Sequence, residues 1–327
     1  MDQAQFISLV SHHIEDALSA QAPEGLEQSQ MLLEAGKHLA TAPGAKRARP
    51  RLVYCFGKIV GVEDRAEDLA NIALSGEFIH GASLLHDDVV DAGTQRRGRP
   101  TVNAQWNNSV AVLGGDIMLC ISIEALSELP RIITKEAVAT VATMSRAAVL
   151  EVETRGQIDL DLNQWRYIAE GKTGSLFGWC GRAPAHLANN LDAADRFKRC
   201  GELLGIAFQM ADDLKDMLDP ESGKNPFADI LNRNPSYPLL WSVKQSEGLY
   251  KEMKALWEQP SISIEEAVNI GQKVLDTGSA DHTRSKIIEH VGLAFEALGD
   301  YREKPGGQEV IDWAVNLSKS FLKTTQG

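Results

Sequence analysis

The stretch HGASLLHDDVVDAGTQRR, residues 80–97, places three aspartates at the end of an apolar helical run. We call Asp87, Asp88 and Asp91 the first acidic cluster. Because an α-helix turns about 100° per residue, Asp87 and Asp91 share one face and Asp88 flanks it. Carboxylates grouped in this way suit Mg²⁺, which proteins usually bind with a few carboxylates and the phosphates of a substrate. The stretch predicts a helix that ends at a metal and phosphate site.

A second stretch, FQMADDLKDMLD at residues 208–219, repeats the same DDxxD spacing. We call Asp212, Asp213 and Asp216 the second acidic cluster. Either cluster alone is better explained as a solvated helix face. The preceding turns argue against that alternative, because they carry apolar residues or glycine all round, which is typical of a buried helix. Six carboxylates that line a cavity would repel one another unless cations neutralise them, so the pair of clusters predicts bound metal.

Composition restricts the class of protein. The chain has 327 residues, 43% of them hydrophobic and 24% charged, and a net charge of −12. Such an acidic surface argues against nucleic acid as a partner. The sequence has no long uninterrupted apolar run and no leader-like start, so we expect a cytoplasmic protein without a transmembrane segment. The four cysteines are far apart and are expected to be reduced core thiols.

The pattern along the chain is helix after helix, without alternating strand patterns. We predict one all-α domain over residues 1–327, a bundle of about ten or more helices. Loops are expected at residues 93–101 and 219–238, where glycine and proline collect. The glycine pair Gly114-Gly115 is expected to separate a helix over residues 102–113 from one over residues 116–127.

Further motifs resemble the trans-isoprenyl diphosphate synthases, or polyprenyl synthetases. GAKRARP at residues 44–50 is similar to the family's GGKRxRP element, and KTGSLF at residues 172–177 to its KTxxL element. EFIHGASLLHDDVVD at residues 77–91 and FQMADDLKD at residues 208–216 resemble its two aspartate-rich motifs. The resemblance runs from about Gly44 to Lys323 and implies the isoprenoid synthase fold, in which helices surround a central cavity.

The resemblance also implies an activity and its participants. Isopentenyl diphosphate would be condensed head-to-tail onto an allylic diphosphate by a homodimer, with three Mg²⁺ ions present when the diphosphate is bound. The six clustered aspartates would bind the metal. Isopentenyl diphosphate would contact Lys46, Arg49, His80 and Arg97. The allylic diphosphate would contact Arg96 and Lys224, and the site of the developing cation would involve Lys172, Thr173 and Gln209.

Product length is predicted from the small residues Ser83 and Ala82, which lie four and five positions before the first aspartate. Short-chain enzymes of the family carry bulky residues there. Ser83 shares a face with Asp87, and Gly76 lies further down the same helix. Small side chains at these positions would let a growing tail pass, so we expect a product longer than farnesyl.

One departure from the family pattern and three alternatives remain open. Asn234 stands where the family has a second loop lysine, with Arg233 adjacent as a substitute cation. The alternatives are a short-chain farnesyl or geranylgeranyl diphosphate synthase, a class I cyclase or head-to-head coupling enzyme, and a non-catalytic partner subunit. The second DDxxD motif argues against the cyclase, and the six aspartates argue against the non-catalytic subunit.

Overall fold

The structure, a computed structural model, describes residues 1–20, 24–42, 47–96, 98–218 and 227–322, with side chains to residue 316. Helices make up nearly all of this part, as the sequence predicted. They are α1 Gln3–Ala17, α2 Gln30–Ala40, α3 Ala48–Ile59, α4 Ala66–Val90, α5 Val102–Gln105, α6 Asn108–Ala125, α7 Arg131–Thr154, α8 Leu162–Ala169, α9 Ser175–Leu187, α10 Leu191–Leu218, α11 Ala228–Leu231, α12 Tyr237–Gln245, α13 Glu247–Trp257, α14 Ile264–Asp276, α15 Ser279–Leu298 and α16 Gly307–Leu322.

Short elements connect some of these helices. Glu27–Ser29 and Gly299–Glu303 are 3₁₀ turns, and Glu170–Gly174 is a π-helical turn that joins α8 directly to α9. β1 Gln95–Arg96 and β2 Arg99–Pro100 form a small antiparallel hairpin within the loop predicted at residues 93–101. Several helix starts follow from local sequence, because Asp2, Asp161 and Ser263 each form a capping box.

Two predicted boundaries are wrong. The loop predicted at residues 219–238 contains the short helix α11 and the first two residues of α12. The second error is the predicted helix break at Gly114-Gly115. The helix α6 runs through Gly114-Gly115, and the break falls earlier, at residues 106–107, where the Asn107 side chain accepts a hydrogen bond from the Val110 N–H. The glycines serve close packing instead of chain termination. A Cβ on Gly115 would lie 2.3 Å from His86 Nε2, and one on Gly114 would lie 3.4 Å from the Ala35 Cβ. Glycine therefore lets α6 pack closely against α2 and α4.

The chain divides into two compact units. Unit 1 comprises Met1–Val141, Trp179–Lys198 and Asp300–Gln308. Its central element is α4, which contacts α1, α2, α3, α5 and α6. Because α4 is surrounded, its sequence is apolar on most sides, and buried residues run from Leu69 to Asp88. The aspartates of the first cluster lie at the end of this buried helix.

Unit 2 comprises Ala142–Gly178, Arg199–Gly299 and Glu309–Gly327. One hydrophobic cluster in it joins the end of α10 to helices α11–α14, with Trp257 and Phe227 among its largest side chains. Phe227 has a left-handed backbone and packs against Gly271, where a Cβ would lie 2.3 Å from the ring. This packing holds the segment that begins at residue 227 against α14.

Within the described residues, α6 is long and apolar enough, by length and composition, to span a membrane. A third of it is buried, through residues such as Val110, Gly114 and Met118 that pack inside unit 1. Core helices of soluble proteins have the same length and composition.

Candidate active site

The first acidic cluster lies at the C-terminal end of α4. Asp87 is partly exposed, Asp91 is exposed and ends the helix, and Asp88 is buried with 5% of its surface exposed. The predicted grouping of Asp87 with Asp91 on one face thus leaves these two carboxylates accessible. The middle aspartate points into the protein.

Arg96 holds the buried Asp88. Its Nη2 lies 2.8 Å from Asp88 Oδ1, and its Nε lies 3.1 Å from Oδ2. A bidentate pair of this kind is strong and directional. Asn103 donates to the backbone carbonyls of Asp88 and Gly93, so the hairpin that carries Arg96 is fastened to the end of α4. Arg97 lies outside the described residues.

The described residues of the GAKRARP motif, 47–50, lie beside α4. Arg47 forms an ion pair with Glu77 at 2.8 Å, and Arg49 is buried in α3 with 8% of its surface exposed. A Cβ on Gly76 would lie 3.7 Å from the Arg49 Cβ and 3.1 Å from Cys180 Sγ. Gly76 therefore provides room for neighbouring side chains. That its small size also leaves a path for a tail stays a prediction. Lys46 lies outside the described residues.

The other predicted residues of α4 differ in exposure. His80 and Ser83 are partly exposed, and the Ser83 hydroxyl donates to the His80 carbonyl at 2.8 Å. Ala82 is buried, with 1% of its surface exposed. His80, Ser83 and Asp87 thus lie along an accessible side of α4, whereas Ala82 is part of the packed interior.

The second acidic cluster ends a four-residue stripe on α10. Gly201, Gly205, Gln209 and Asp213 follow one another at every fourth position, so they share one face. A Cβ on Gly205 would lie 2.5 Å from the Gly174 Cα, and one on Gly201 would lie 2.3 Å from the Phe177 carbonyl oxygen. The two glycines therefore bring the backbone of α10 against the segment that carries Lys172 and Thr173.

This close approach places two predicted catalytic residues in contact. Thr173 donates its hydroxyl to Gln209 Oε1 at 2.9 Å, and Gln209 Nε2 donates to Asp213 Oδ1 at 3.0 Å. Lys172, in the π turn, forms an ion pair with Glu151 of α7. The structure thus joins the KT motif to the second acidic cluster through side-chain hydrogen bonds inside unit 2.

Asp213 is the buried middle residue of its cluster, with 8% of its surface exposed, whereas Asp212 is exposed and Asp216 partly exposed. Besides the bond from Gln209, Asp213 Oδ2 accepts Trp165 Nε1–H at 3.1 Å and the Tyr237 backbone N–H at 2.9 Å. Burial raises the pKa of Asp213 to about 7, with a further rise from Asp212, although its hydrogen bonds favour the charged form.

One acidic residue near the second cluster was missed from the sequence. The Asp229 backbone N–H donates to Asp216 Oδ2 at 3.0 Å. Burial raises the pKa of the Asp229 carboxyl well above its usual range, and the nearby carboxylates of the second cluster add to the rise. The signal was in the sequence, since this aspartate lies within the loop predicted at residues 219–238, but no spacing rule connected it to the cluster.

The presence of Asn234 in place of the family's second loop lysine also has a structural consequence. The side chain of Asn234 forms a hydrogen bond with Asp229 that opposes the rise in the pKa of this carboxyl. Arg233, the suggested substitute cation, instead donates its Nη2 to the Gln259 carbonyl at 2.6 Å. Asn234 therefore contacts the acidic group as a neutral amide, while the Arg233 guanidinium binds elsewhere. Lys224 and the other residues of 219–226 lie outside the described part.

A family model described as polyprenyl synthetase matches residues 29–274. The chain belongs to the polyprenyl synthetase family. The resemblance inferred from the two aspartate-rich motifs is thereby confirmed, and with it the prenyltransferase class of enzyme.

Named relatives agree with this assignment. An all-trans-nonaprenyl-diphosphate synthase (geranyl-diphosphate specific) from Rhodobacter capsulatus is 29% identical over 301 residues, which cover 90% of each chain. A farnesyl diphosphate synthase from Haemophilus influenzae is 32% identical over 269 residues, 75% of this chain and 88% of the relative. The crystal structure of a decaprenyl diphosphate synthase from Rhodobacter capsulatus superposes with a TM-score of 0.87 at 27% identity, covering 97% of each chain. The predicted all-α, isoprenoid synthase type of fold is confirmed.

The donor set is chemically suited to Mg²⁺ bound together with a diphosphate. In the described ranges, no three His, Cys, Asp or Glu side chains converge to form a ready-made metal site. Mg²⁺ does not need one, because it is commonly held by one or two carboxylates, water and substrate phosphates. The accessible carboxylates are the outer ones: Asp87 and Asp91 in unit 1, and Asp212 and Asp216 in unit 2.

Proposed function

We propose that this prenyltransferase condenses isopentenyl diphosphate head-to-tail onto an allylic diphosphate and makes a polyprenyl diphosphate longer than farnesyl. The observation that carries the proposal is the presence of two acidic clusters whose outer carboxylates are accessible and whose middle carboxylates are held by the protein. Each cluster has carboxylates that can bind a metal–diphosphate group without a covalent nucleophile. The nonaprenyl and decaprenyl names of two relatives support the longer product.

In the proposed mechanism, Asp87, Asp91, Asp212 and Asp216 bind Mg²⁺, and three ions are expected once the diphosphate is present. When bound, Mg²⁺ supplies Lewis-acid stabilisation of the diphosphate leaving group. Asp88 and Asp213, through their hydrogen bonds to the protein, hold the ends of α4 and α10 in place. Positive charge for the phosphate oxygens comes from Arg96, Arg97, Lys172 and Lys224. For this to happen, the ion pairs that Arg96 and Lys172 form in the structure must rearrange or be shared with the substrate.

The remaining residues bind and stabilise the reacting carbon skeletons. Lys46, Arg49 and His80 bind isopentenyl diphosphate. As the allylic C–O bond breaks, its electron pair leaves with the diphosphate, and the Thr173 hydroxyl and Gln209 carbonyl oxygens offer lone pairs to the allylic cation. The double bond of isopentenyl diphosphate then forms the new C–C bond, and loss of a proton restores a double bond.

We further propose that the protein is a cytoplasmic homodimer without a transmembrane segment. Support for the homodimer comes from α6, which carries exposed apolar side chains such as Val112, Leu113 and Ile123 on the side opposite its buried residues. Exposed apolar patches mark interaction surfaces. A second copy that covers this side would account for the apolar character of α6 in a protein with a strongly acidic composition.

A direct assay tests the proposal. The purified protein is incubated with Mg²⁺, isopentenyl diphosphate and dimethylallyl, geranyl, farnesyl or geranylgeranyl diphosphate, and the products are separated by chain length. We expect elongation past farnesyl, with loss of at least about 100-fold in rate for Asp87→Ala and Asp212→Ala. Asp64→Ala, an exposed aspartate before the same helix α4, is the matched control and should keep full activity.

The short-chain alternative has one specific observation in its favour, the identity with a farnesyl diphosphate synthase. Products that stop at farnesyl would support it and refute the longer product. No elongation with any primer would contradict the synthase itself and favour a non-catalytic subunit.

A further inference from the structure

The Trp165 indole contacts the second acidic cluster from a helix outside both aspartate-rich motifs. Trp165 lies in α8, is buried with 5% of its surface exposed, and donates its Nε1–H to Asp213 Oδ2. We infer that Trp165 is a positioning residue, which holds the second acidic cluster in the orientation that binds Mg²⁺ and diphosphate. The inference rests on the proposed function of this cluster and assigns it a determinant outside the motif.

Three elements fix the Asp213 carboxylate. The donors come from α8 through Trp165, from α10 through Gln209, and from the first residue of α12 through the Tyr237 backbone N–H. Both oxygens are therefore bonded, which restrains the end of α10 from rotating. Asp212 and Asp216, on either side of Asp213, keep their directions as a result. Groups that orient metal-binding side chains in this way strongly affect metal affinity.

Trp165 also connects the cluster to the KT motif. The same helical stretch that carries Trp165 reaches α10 again at Thr173, eight residues later. In a regular α-helix, residues eight apart are about 80° out of line. The π turn at Glu170–Gly174 takes up about one extra residue, so the Trp165 and Thr173 side chains are only about 20° apart around the helix axis. Both side chains can therefore bond to the Gln209–Asp213 side of α10.

Packing around the indole favours one orientation. The Trp165 ring makes an edge contact with the Tyr237 ring, with centroids 5.0 Å apart and planes at 64°. This contact presents Nε1–H to the carboxylate that also accepts the Tyr237 backbone N–H. Trp165 therefore supports Asp213 both directly and through the start of α12.

The chain offers a matched control. Trp257 is also buried in unit 2, with 6% of its surface exposed, and its Nε1–H donates at 3.2 Å to the Ile230 carbonyl. Replacing either tryptophan with phenylalanine removes one indole N–H bond and some packing. The acceptor differs, because Trp165 bonds to the acidic cluster and Trp257 to backbone.

The experiment compares Trp165→Phe, Trp257→Phe and the unchanged protein. Binding of inorganic pyrophosphate in the presence of Mg²⁺ is measured by calorimetry, and turnover is measured across a Mg²⁺ titration. For Trp165→Phe we expect about tenfold weaker pyrophosphate binding and a similarly higher Mg²⁺ requirement, with the KM for isopentenyl diphosphate unchanged. Trp257→Phe should lower the melting temperature but leave pyrophosphate binding and the Mg²⁺ requirement unchanged.

A second measurement uses the unchanged protein and does not depend on the folding of a variant. With ¹⁵N-labelled tryptophan, the Trp165 indole N–H resonance should shift when Mg²⁺ and pyrophosphate are added together, while that of Trp257 should stay in place. Equal binding by both variants, or a Trp165 resonance that does not move, would overturn the inference. If the unchanged protein neither binds pyrophosphate with Mg²⁺ nor elongates a primer, the proposed function is what fails.

Discussion

At the scale of single residues, the two middle aspartates are stabilised in different ways. Asp88 is paired with the Arg96 guanidinium, whereas each of the donors described for Asp213 is neutral. The sequence could identify six carboxylates and their spacing. It could not tell which would be buried, because Arg96 reaches Asp88 from the hairpin that follows α4, and two of the Asp213 donors come from other helices. Long-range contacts decided these roles.

The chain-length hypothesis is best tested at Ser83, because Ala82 is buried and Ser83 is partly exposed beside Asp87. A phenylalanine there would occupy the accessible side of α4 below the first acidic cluster. We expect Ser83→Phe to shorten the product by at least one isoprene unit, as measured by product chromatography. Ser83→Ala is the matched control, and an unchanged product distribution for Ser83→Phe would mean that the tail runs elsewhere.

His290 provides a pH-dependent contribution to stability. It is 8% exposed, and burial lowers the pKa of the imidazole. The charges of Arg166 and Lys286 lower the pKa further, whereas a hydrogen bond with the Lys286 backbone and the charge of Glu289 raise it. Because the unfolded chain takes up the proton at higher pH than the folded one, this contribution is present above about pH 6.5 and is lost as pH falls.

We therefore expect the free energy of unfolding to fall less between about pH 7.5 and about pH 5.5 in His290→Asn than in the unchanged protein. Urea denaturation at a series of pH values measures the difference. Gln105→Asn, at an exposed residue of α5, removes no titratable group, so it is the control and should keep the original pH dependence. Identical pH profiles for all three proteins would show that His290 does not titrate differently on folding.

At the scale of elements, the position of the second cluster depends on how closely α10 approaches the π turn. Gly205→Ala would place a Cβ 2.5 Å from the Gly174 Cα, so the helix backbones must separate. Overpacking of this kind costs about 1–3 kcal/mol. We expect Gly205→Ala to lower the free energy of unfolding by that amount and to weaken turnover, because the Thr173–Gln209 bond lengthens.

Gly292 in α15 is the matched control, since a Cβ there meets nothing within 4 Å. Gly292→Ala should raise the free energy of unfolding by about 0.5–1 kcal/mol, because alanine is the better helix former. Denaturant titrations and steady-state rates measure both variants. Equal effects of the two substitutions would refute the argument from close packing.

Helices were the most predictable elements, since apolar residues that recur with the helical repeat mark them regardless of which elements pack around them. The glycines were less predictable. Gly114-Gly115 suggested a helix break, yet α6 continues through them because His86 and Ala35 fill the space beside them. The π turn at Glu170–Gly174 was not predicted either, because it depends on packing against α10, and periodicity within one helix does not report it.

At the scale of the whole molecule, the dimer proposal concerns the exposed apolar side of α6. Leu113 is 50% exposed, and Leu113→Glu would place a charge in the proposed interface. We expect this variant to be monomeric by light scattering while the unchanged protein is dimeric, because burying an unpaired charge is costly. Ile288→Glu, at a 55% exposed position of α15, is the control and should stay dimeric. A monomeric unchanged protein would exclude the proposal.

The π turn has a consequence for insertions and deletions. Because it holds about one residue more than an α-helical turn, deleting Glu170 would convert it to an α-helix and leave Trp165 and Thr173 facing the same way. A deletion between Gly205 and Asp213 would instead rotate the aspartates by about 100° relative to the glycines. Evolution and engineering should therefore tolerate the loss of one residue before Lys172 and reject a deletion in α10.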